Sequence, residues 1–312
     1  MKILITGGSG LIGRPLIDAL LMDGHQLSAL TRNPNKFSTD LPVGFQAVNW
    51  DGVSPEGWNH IIEETDAVIN LAGESIAGQS LPSILTKRWN KTQKQRIKKS
   101  RQDIGKALTE SIMAASRKPG VFIQASAVGY YGPQGEDAIY ESAPAGKDYL
   151  AEVCQAWEAS TAEVEGMGIR RVILRTGLVL ASDGGILPIM LLPFRLFVGG
   201  PIGGGKQYIP WIHIQDQVNA IRFLLTTETA QGPFNLSAPN PVSNAEFGRN
   251  SGQVLGRPNL VPTPGFALKL ALGEKASLVL DGQQAIPKRL LEAGFEFKFE
   301  NLEAALQNLI TQ

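Results

Sequence analysis

The chain opens with Lys2-Ile3-Leu4-Ile5-Thr6 and passes directly into Gly7-Gly8-Ser9-Gly10-Leu11-Ile12-Gly13. An apolar run that feeds a glycine-rich turn, followed by an amphipathic stretch, reads as a strand-to-helix crossover. The helical pattern spans Leu11 to Leu21 and stops at Asp23-Gly24. In such a turn Gly7 permits the tight reversal, Gly10 lets backbone N–H groups approach a pyrophosphate, and Gly13 lets the helix pack against its strand. The helix N-terminus adds partial positive charge, so the segment is predicted to bind the phosphates of a nucleotide. Glycine triplets occur in many loops; the flanking strand and helix are what make this one specific.

Further apolar runs near 2–6, 26–31, 45–49, 66–72, 121–126 and 170–177 alternate with segments long enough for crossover helices. That alternation predicts an α/β fold, a Rossmann-type doubly wound parallel sheet. The dinucleotide-binding domain is expected over residues 1–180 with parts of 207–236, and a smaller α+β substrate-side domain mainly over 181–312. Glycine and proline crowd between Gly184 and Pro210, and the bulk of Phe194, Phe197, Tyr208 and Trp211 marks an ordered loop over a cleft rather than a free linker.

The second apolar run ends at Thr31-Arg32, where the adenosine ribose would lie. A carboxylate there favours NAD; none is present. Thr31 supplies a hydroxyl and Arg32 a planar fork of donors suited to a 2′-phosphate, with Arg14 and Lys36 adding charge nearby, so the expected cofactor is NADP(H).

Lys+Arg and Asp+Glu each number 29, which gives no field to draw the chain to nucleic acid or an anionic membrane. The stretch from Lys87 to Arg101 is basic throughout, but helical spacing spreads its charges around the circumference. It reads as a solvated helix, with one or two arginines at the cleft end able to reach cofactor phosphates. Cys154 is the sole cysteine and His25, His60 and His213 have no metal-ligand spacing, so neither a disulfide framework nor a metal is expected. No apolar run is long enough for a membrane span and no signal peptide precedes the first strand, so the expected location is cytoplasmic. The partner expected is a small-molecule substrate; its identity and the oligomeric state are left open.

Asn70-Leu71-Ala72-Gly73-Glu74 and Ala125-Ser126-Ala127-Val128-Gly129-Tyr130-Tyr131-Gly132 resemble the short-chain dehydrogenase/reductase superfamily. Trp157-Glu158, Leu174-Arg175-Thr176-Gly177, Pro193-Phe194-Arg195, Trp211-Ile212-His213 and Ala293-Gly294-Phe295 are similar to its atypical, extended-like branch, the NAD(P)-dependent epimerase family. Some members carry a cell-division-inhibitor, SulA-like label. The resemblance covers nearly the whole chain. It implies that Gly7, Gly10, Leu11, Ile12, Gly13, Thr31 and Arg32 contact the cofactor, that Leu71, Ala72 and Gly73 line it, and that Val179 sits beside the nicotinamide half. Arg101 falls near the place where extended members have an asparagine, with Arg96 a turn and a half earlier.

Typical members of that superfamily place a tyrosine four residues before a lysine, whose ammonium lowers the phenol pKa for proton transfer. Here Tyr149 is followed by Val153, so the lysine is absent. Ser126, Tyr130 and Tyr149 remain the candidate catalytic hydroxyls. Cys154 reads as a buried apolar residue, His213 as a loop support or an acid-base group, and Asp216 as a helix cap. Two functions follow: an NADP(H)-dependent oxidoreductase or epimerase-like enzyme acting on a small carbonyl or hydroxyl compound, or a catalytically weak NADPH-binding regulatory protein, linked to cell division if the label holds.

Overall fold

The computed structural model describes residues 1–37, 42–76, 78 and 88–311. Its strands are β1 (Lys2–Thr6), β2 (Gln26–Thr31), β3 (Phe45–Asn49), β4 (Ala67–Asn70), β5 (Val121–Ala127), β6 (Ala138–Ile139) and β7 (Arg170–Thr176). Then follow β8 (Leu178–Leu180), β9 (Tyr208–Ile209), β10 (Trp211–His213), β11 (Gly232–Leu236), β12 (Val242–Ser243) and β13 (Gln284–Ala285). Seven of them form one sheet in the order β11-β7-β5-β4-β1-β2-β3, with every neighbouring pair parallel. The expected doubly wound sheet is therefore present, and its order reverses between β1 and β4.

Strand alternation explains how both faces are covered. Ile3 and Ile5 of β1 pack on one face with Leu16, Ile17 and Leu20 of the Gly13–Met22 helix and with Ile221, Leu224 and Leu225 of the Ile214–Thr226 helix. Leu4 points the other way, into a cluster with Val68, Phe122, Ile104, Leu108 and Ile112. Phe122 belongs to β5 and the last three to the long Lys91–Ala114 helix, whose buried positions Ile97, Arg101, Ile104, Leu108 and Ile112 recur at helical spacing. Asn90 caps this helix by accepting from the Gln93 N–H at 2.8 Å.

From Lys91 onward the basic segment forms the first half of this helix, and three of its charges are paired: Lys94 with Glu274, Arg96 with Glu74 and Lys99 with Asp103. Lys87 lies outside the described residues. The Gly184–Pro210 stretch is ordered but is not one loop, because Leu187–Arg195 forms a helix with a proline in its first turn, where a missing N–H costs little. A third apolar cluster joins Leu187 and Leu191 of that helix to Trp211, Phe247, Leu302 and Leu306.

Candidate active site

The glycine turn leaves β1 at the strand-order reversal, where ligands bind parallel α/β sheets. Gly7 has φ +74°, and a methyl built on it would lie 2.8 Å from the Leu71 carbonyl carbon, so the turn and the end of β4 are in backbone contact. A methyl on Gly13 would lie 2.3 Å from the Gly7 oxygen. Gly10 donates its N–H to Gly7 O at 3.0 Å. Ile12 starts the helix with no side-chain cap and its first turn carries no acidic residue, which leaves the positive end of the helix unneutralised. Leu11 reaches across to the segment that follows β8: a methyl on Gly185 would lie 2.8 Å from its Cδ2.

At the end of β2, Thr31 Oγ1 accepts from the Asn33 N–H at 3.2 Å and tightens the chain there. Arg32 is exposed and in no ion pair among the described residues. Arg14 ties the turn to this corner, donating to Ser9 O and Lys36 O at 3.4 Å each. Arg14 thus bridges the glycine turn and the Pro34–Lys36 segment that follows Arg32 at the end of β2.

Beyond β4, Leu71 and Ala72 donate their N–H groups to Thr6, Leu71 to the backbone oxygen at 3.2 Å and Ala72 to Oγ1 at 3.3 Å. Arg96 is exposed and pairs with Glu74 at 2.6 Å. Arg101 is buried against Gly73, and burial lowers its pKa. Val179 lies in β8 opposite Ile212 and is buried in the main core, so its packing role is plain.

The three candidate hydroxyls differ in how they are held. Ser126 Oγ donates to Glu158 Oε1 at 2.7 Å, inside a buried network. Arg175 closes on the same carboxylate from the other side and donates through Nη1 to the Tyr131 hydroxyl at 3.2 Å, which donates in turn to Asn235 Oδ1 at 2.7 Å. Burial opposes the charge of Arg175, yet its bonds to Glu158 hold its pKa above the ordinary value. Tyr149 donates to Lys94 O at 3.1 Å, and burial pushes its pKa up to about 12, the reverse of what an activated phenol needs. Tyr130 is half-buried with its ring centroid 3.4 Å from Arg175 Cζ, and its hydroxyl has no hydrogen-bond partner among the described residues.

Burial pushes the Cys154 thiol up to about 12, so it is an inert core group. His213 is buried, stacked on Phe299 at 3.9 Å, and caps the Ile214–Thr226 helix by accepting from the Gln215 N–H; burial pulls its pKa down to about 4. Asp216 is not that cap. Its carboxylate accepts from the N–H groups of Lys298 and Phe299 at 2.9 Å each and anchors the C-terminal segment. Among the described residues no group of three or more His, Cys, Asp or Glu side chains could hold a metal ion, and no helix is long and apolar enough to cross a membrane.

The sequence reading assigned Glu158 and Arg175 no role. The available signal was an acid beside Trp157 on the buried face of a helix and an arginine that directly follows the apolar run Val172-Ile173-Leu174.

A parallel doubly wound sheet with a glycine crossover at its strand-order reversal defines the class. A model described as "NAD dependent epimerase/dehydratase family" matches residues 3–237, and one described as "Domain of unknown function (DUF1731)" matches 263–309. The chain belongs to the NAD dependent epimerase/dehydratase family. It is 39% identical to the chloroplastic epimerase family protein SDR39U1 homolog of Arabidopsis thaliana, over 99% of this chain and 87% of that one. Epimerase family protein YfhF of Bacillus subtilis is 38% identical, over 99% and 98%. Among solved structures, human epimerase family protein SDR39U1 (isoform2), crystallised with NADPH, superposes with a TM-score of 0.86 at 32% identity, covering 100% of both chains. These relatives are named as epimerase-family proteins and lend the cell-division label no support.

Proposed function

We propose that the chain binds NADPH across the carboxyl ends of β1, β2 and β4 and acts as an oxidoreductase or epimerase-like enzyme on a small carbonyl or hydroxyl compound. The observation that carries the reading is the pairing of an uncapped, glycine-cradled helix N-terminus with Arg14, Arg32 and Lys36 at a corner where β2 ends without a carboxylate. The likeness to a human protein crystallised with NADPH supports it. Gly7, Gly10, Leu11, Ile12 and Gly13 cradle the diphosphate, Thr31 and Arg32 take the 2′-phosphate, and Leu71, Ala72 and Gly73 line the middle. Arg96 stands at the rim, Arg101 beneath it, and Val179 backs the nicotinamide end. When bound, the nicotinamide supplies hydride chemistry.

The chain must then hold and move a proton. Tyr130 is the hydroxyl best placed to donate, since Ser126 and Tyr149 are engaged by Glu158 and Lys94. Ser126 orients through Glu158, and Tyr149 lends a hydrogen-bond acceptor at the mouth. Val153 in place of a lysine, together with the raised Tyr149 pKa, favours a second reading, a weakly catalytic NADPH-binding regulator. Mixing the protein and NADPH with a panel of small aldehydes and ketones separates the two: loss of reduced-nicotinamide fluorescence supports the enzyme, and tight binding without turnover across the panel supports the regulator.

A further inference from the structure

Leu196, Phe197, Val198, Leu260 and Val261 are large, apolar and exposed, with Leu196 62% and Leu260 79% open to solvent. They come from two turns that lie side by side, since the Leu260 and Val261 N–H groups both donate to Gly199 O, at 2.9 and 3.0 Å. The first turn is held from beneath. Phe194 is buried, a methyl on Gly199 would lie 2.2 Å from its ring, and the Phe197 and Val198 N–H groups donate to Phe194 O and Pro193 O at 2.9 Å each. With Phe194 turned in, Leu196, Phe197 and Val198 are turned out. Phe197 has φ +63°, alone among the described residues other than glycine, in a conformation that bulky side chains rarely adopt. Adjoining exposed apolar residues of this kind mark a surface that something covers.

The charge of the two segments selects the cover. Acids and bases balance over the chain as a whole, but residues 184–215 and 247–273 carry Arg195, Lys206, Arg249, Arg257 and Lys269 and no Asp or Glu. Arg249 faces Glu246 at 3.9 Å, and Lys269 acts on Asp281. Arg195, Lys206 and Arg257 are exposed and in no ion pair among the described residues. Arg195 directly precedes Leu196, and Arg257 Cζ lies 4.3 Å from the Phe197 ring centroid, so cations stand beside the apolar side chains. A second copy of this chain seated on the same face would bring those cations together, which opposes association. An anionic bilayer answers both features: its headgroups take the guanidinium charges, and the acyl boundary beneath takes Leu, Phe and Val. Three consecutive apolar side chains on one turn need no matching pockets in a fluid layer. The stacked Arg257 keeps its charge at headgroup level while the Phe197 ring goes below.

We infer that the face formed by residues 195–198 and 257–261 docks the protein peripherally on an anionic lipid surface, with Leu196, Phe197 and Leu260 entering the headgroup boundary and Arg195 and Arg257 meeting lipid phosphates. Docking of this kind requires no membrane-crossing helix, and none is present among the described residues. It stands independently of the nucleotide reading.

The test is co-sedimentation of the full chain with vesicles of phosphatidylcholine alone and of phosphatidylcholine and phosphatidylglycerol in equal parts. The parent protein is expected to bind the anionic vesicles about tenfold or more tightly than the neutral ones, and less so as salt is raised. Phe197→Gly removes the ring where the backbone already suits glycine, so the variant keeps its thermal unfolding temperature; combined with Leu260→Ser it is expected to lower anionic-vesicle binding by about tenfold or more. Arg195→Gln with Arg257→Gln is expected to lower it to the level of the neutral vesicles. The inference is overturned if the parent stays in solution with both kinds of vesicle, if it binds the two equally, or if either folded double variant binds as the parent does. Self-association of the parent that Phe197→Gly abolishes, without vesicle binding, would assign the face to a second copy and overturn it as well.

Discussion

Arg175 grips the Glu158 carboxylate with two bonds of 3.0 Å, Nε to Oε1 and Nη2 to Oε2, beneath the hydroxyl of Ser126. Both side chains are almost fully enclosed, at 5% and 11% exposure. Arg171 adds a hydrogen bond to the Glu158 backbone oxygen, so helix and strand are locked together at this point. Removing one partner of such a pair leaves an uncompensated charge. Glu158→Ala is therefore expected to destabilise the fold by about 3–5 kcal/mol, read as a lower urea midpoint. A loss well below 1 kcal/mol would mean that water reaches the pair.

At the adenosine corner, Arg32→Ala removes a charge-assisted contact of about 1.5–3 kcal/mol, which is tenfold or more in NADPH affinity. NADH, which lacks the 2′-phosphate, is expected to bind the variant as it binds the parent. Equal weakening of both cofactors would place Arg32 elsewhere.

Gly13→Ala puts a methyl 2.3 Å from the Gly7 oxygen, where the contact is backbone and cannot swing aside. The variant is expected to lose about 1–3 kcal/mol of stability together with nucleotide binding. Gly24→Ala is the control: it has φ +80° but nothing within 4 Å, so it strains the helix exit and leaves binding intact.

His213 carries a pH signature. Its folded pKa, near 4, lies below the ordinary value of 6.5, so between those limits the unfolded chain binds the extra proton. Stability from this group is complete above about pH 6.5 and is lost as pH falls toward 4, a change on the order of 3 kcal/mol. His213→Asn is expected to flatten that part of the stability–pH curve. An unchanged curve would show that other groups dominate the window.

Tyr130→Phe is expected to lower turnover by about 100-fold or more, the usual scale for losing a general acid, with NADPH affinity preserved. Ser126→Ala acts through Glu158 and is expected to cost stability more than chemistry. The reverse ranking would move the proton donor to Ser126.

Local signals made much of this legible. The glycine turn and the six sheet strands expected from apolar runs follow from patterns a few residues long, and all six runs coincide with β1 to β5 and β7 to within two residues at either end. The missing carboxylate at the end of β2 is likewise a local fact, and it is what singles out Arg32 there. What stayed hidden depends on distant pairing. Ser126 and Glu158 are 32 positions apart, and Tyr131 and Asn235 are 104 apart, so no window of sequence reveals that they share a network. Arg101 belongs to a basic run that reads as a solvated helix with one or two arginines turned to the cleft; its burial follows from the helix packing against Trp157 and Gly73. Asp216 sits where a cap would, but the preceding histidine took that role and freed the carboxylate for Lys298 and Phe299.

Calorimetric titration of the purified chain with NADPH and, separately, with NADH tests the dinucleotide assignment at its root. Saturable binding of both is expected, with NADPH tighter by tenfold or more. No saturation with NADPH, or equal affinity for the two, would contradict it.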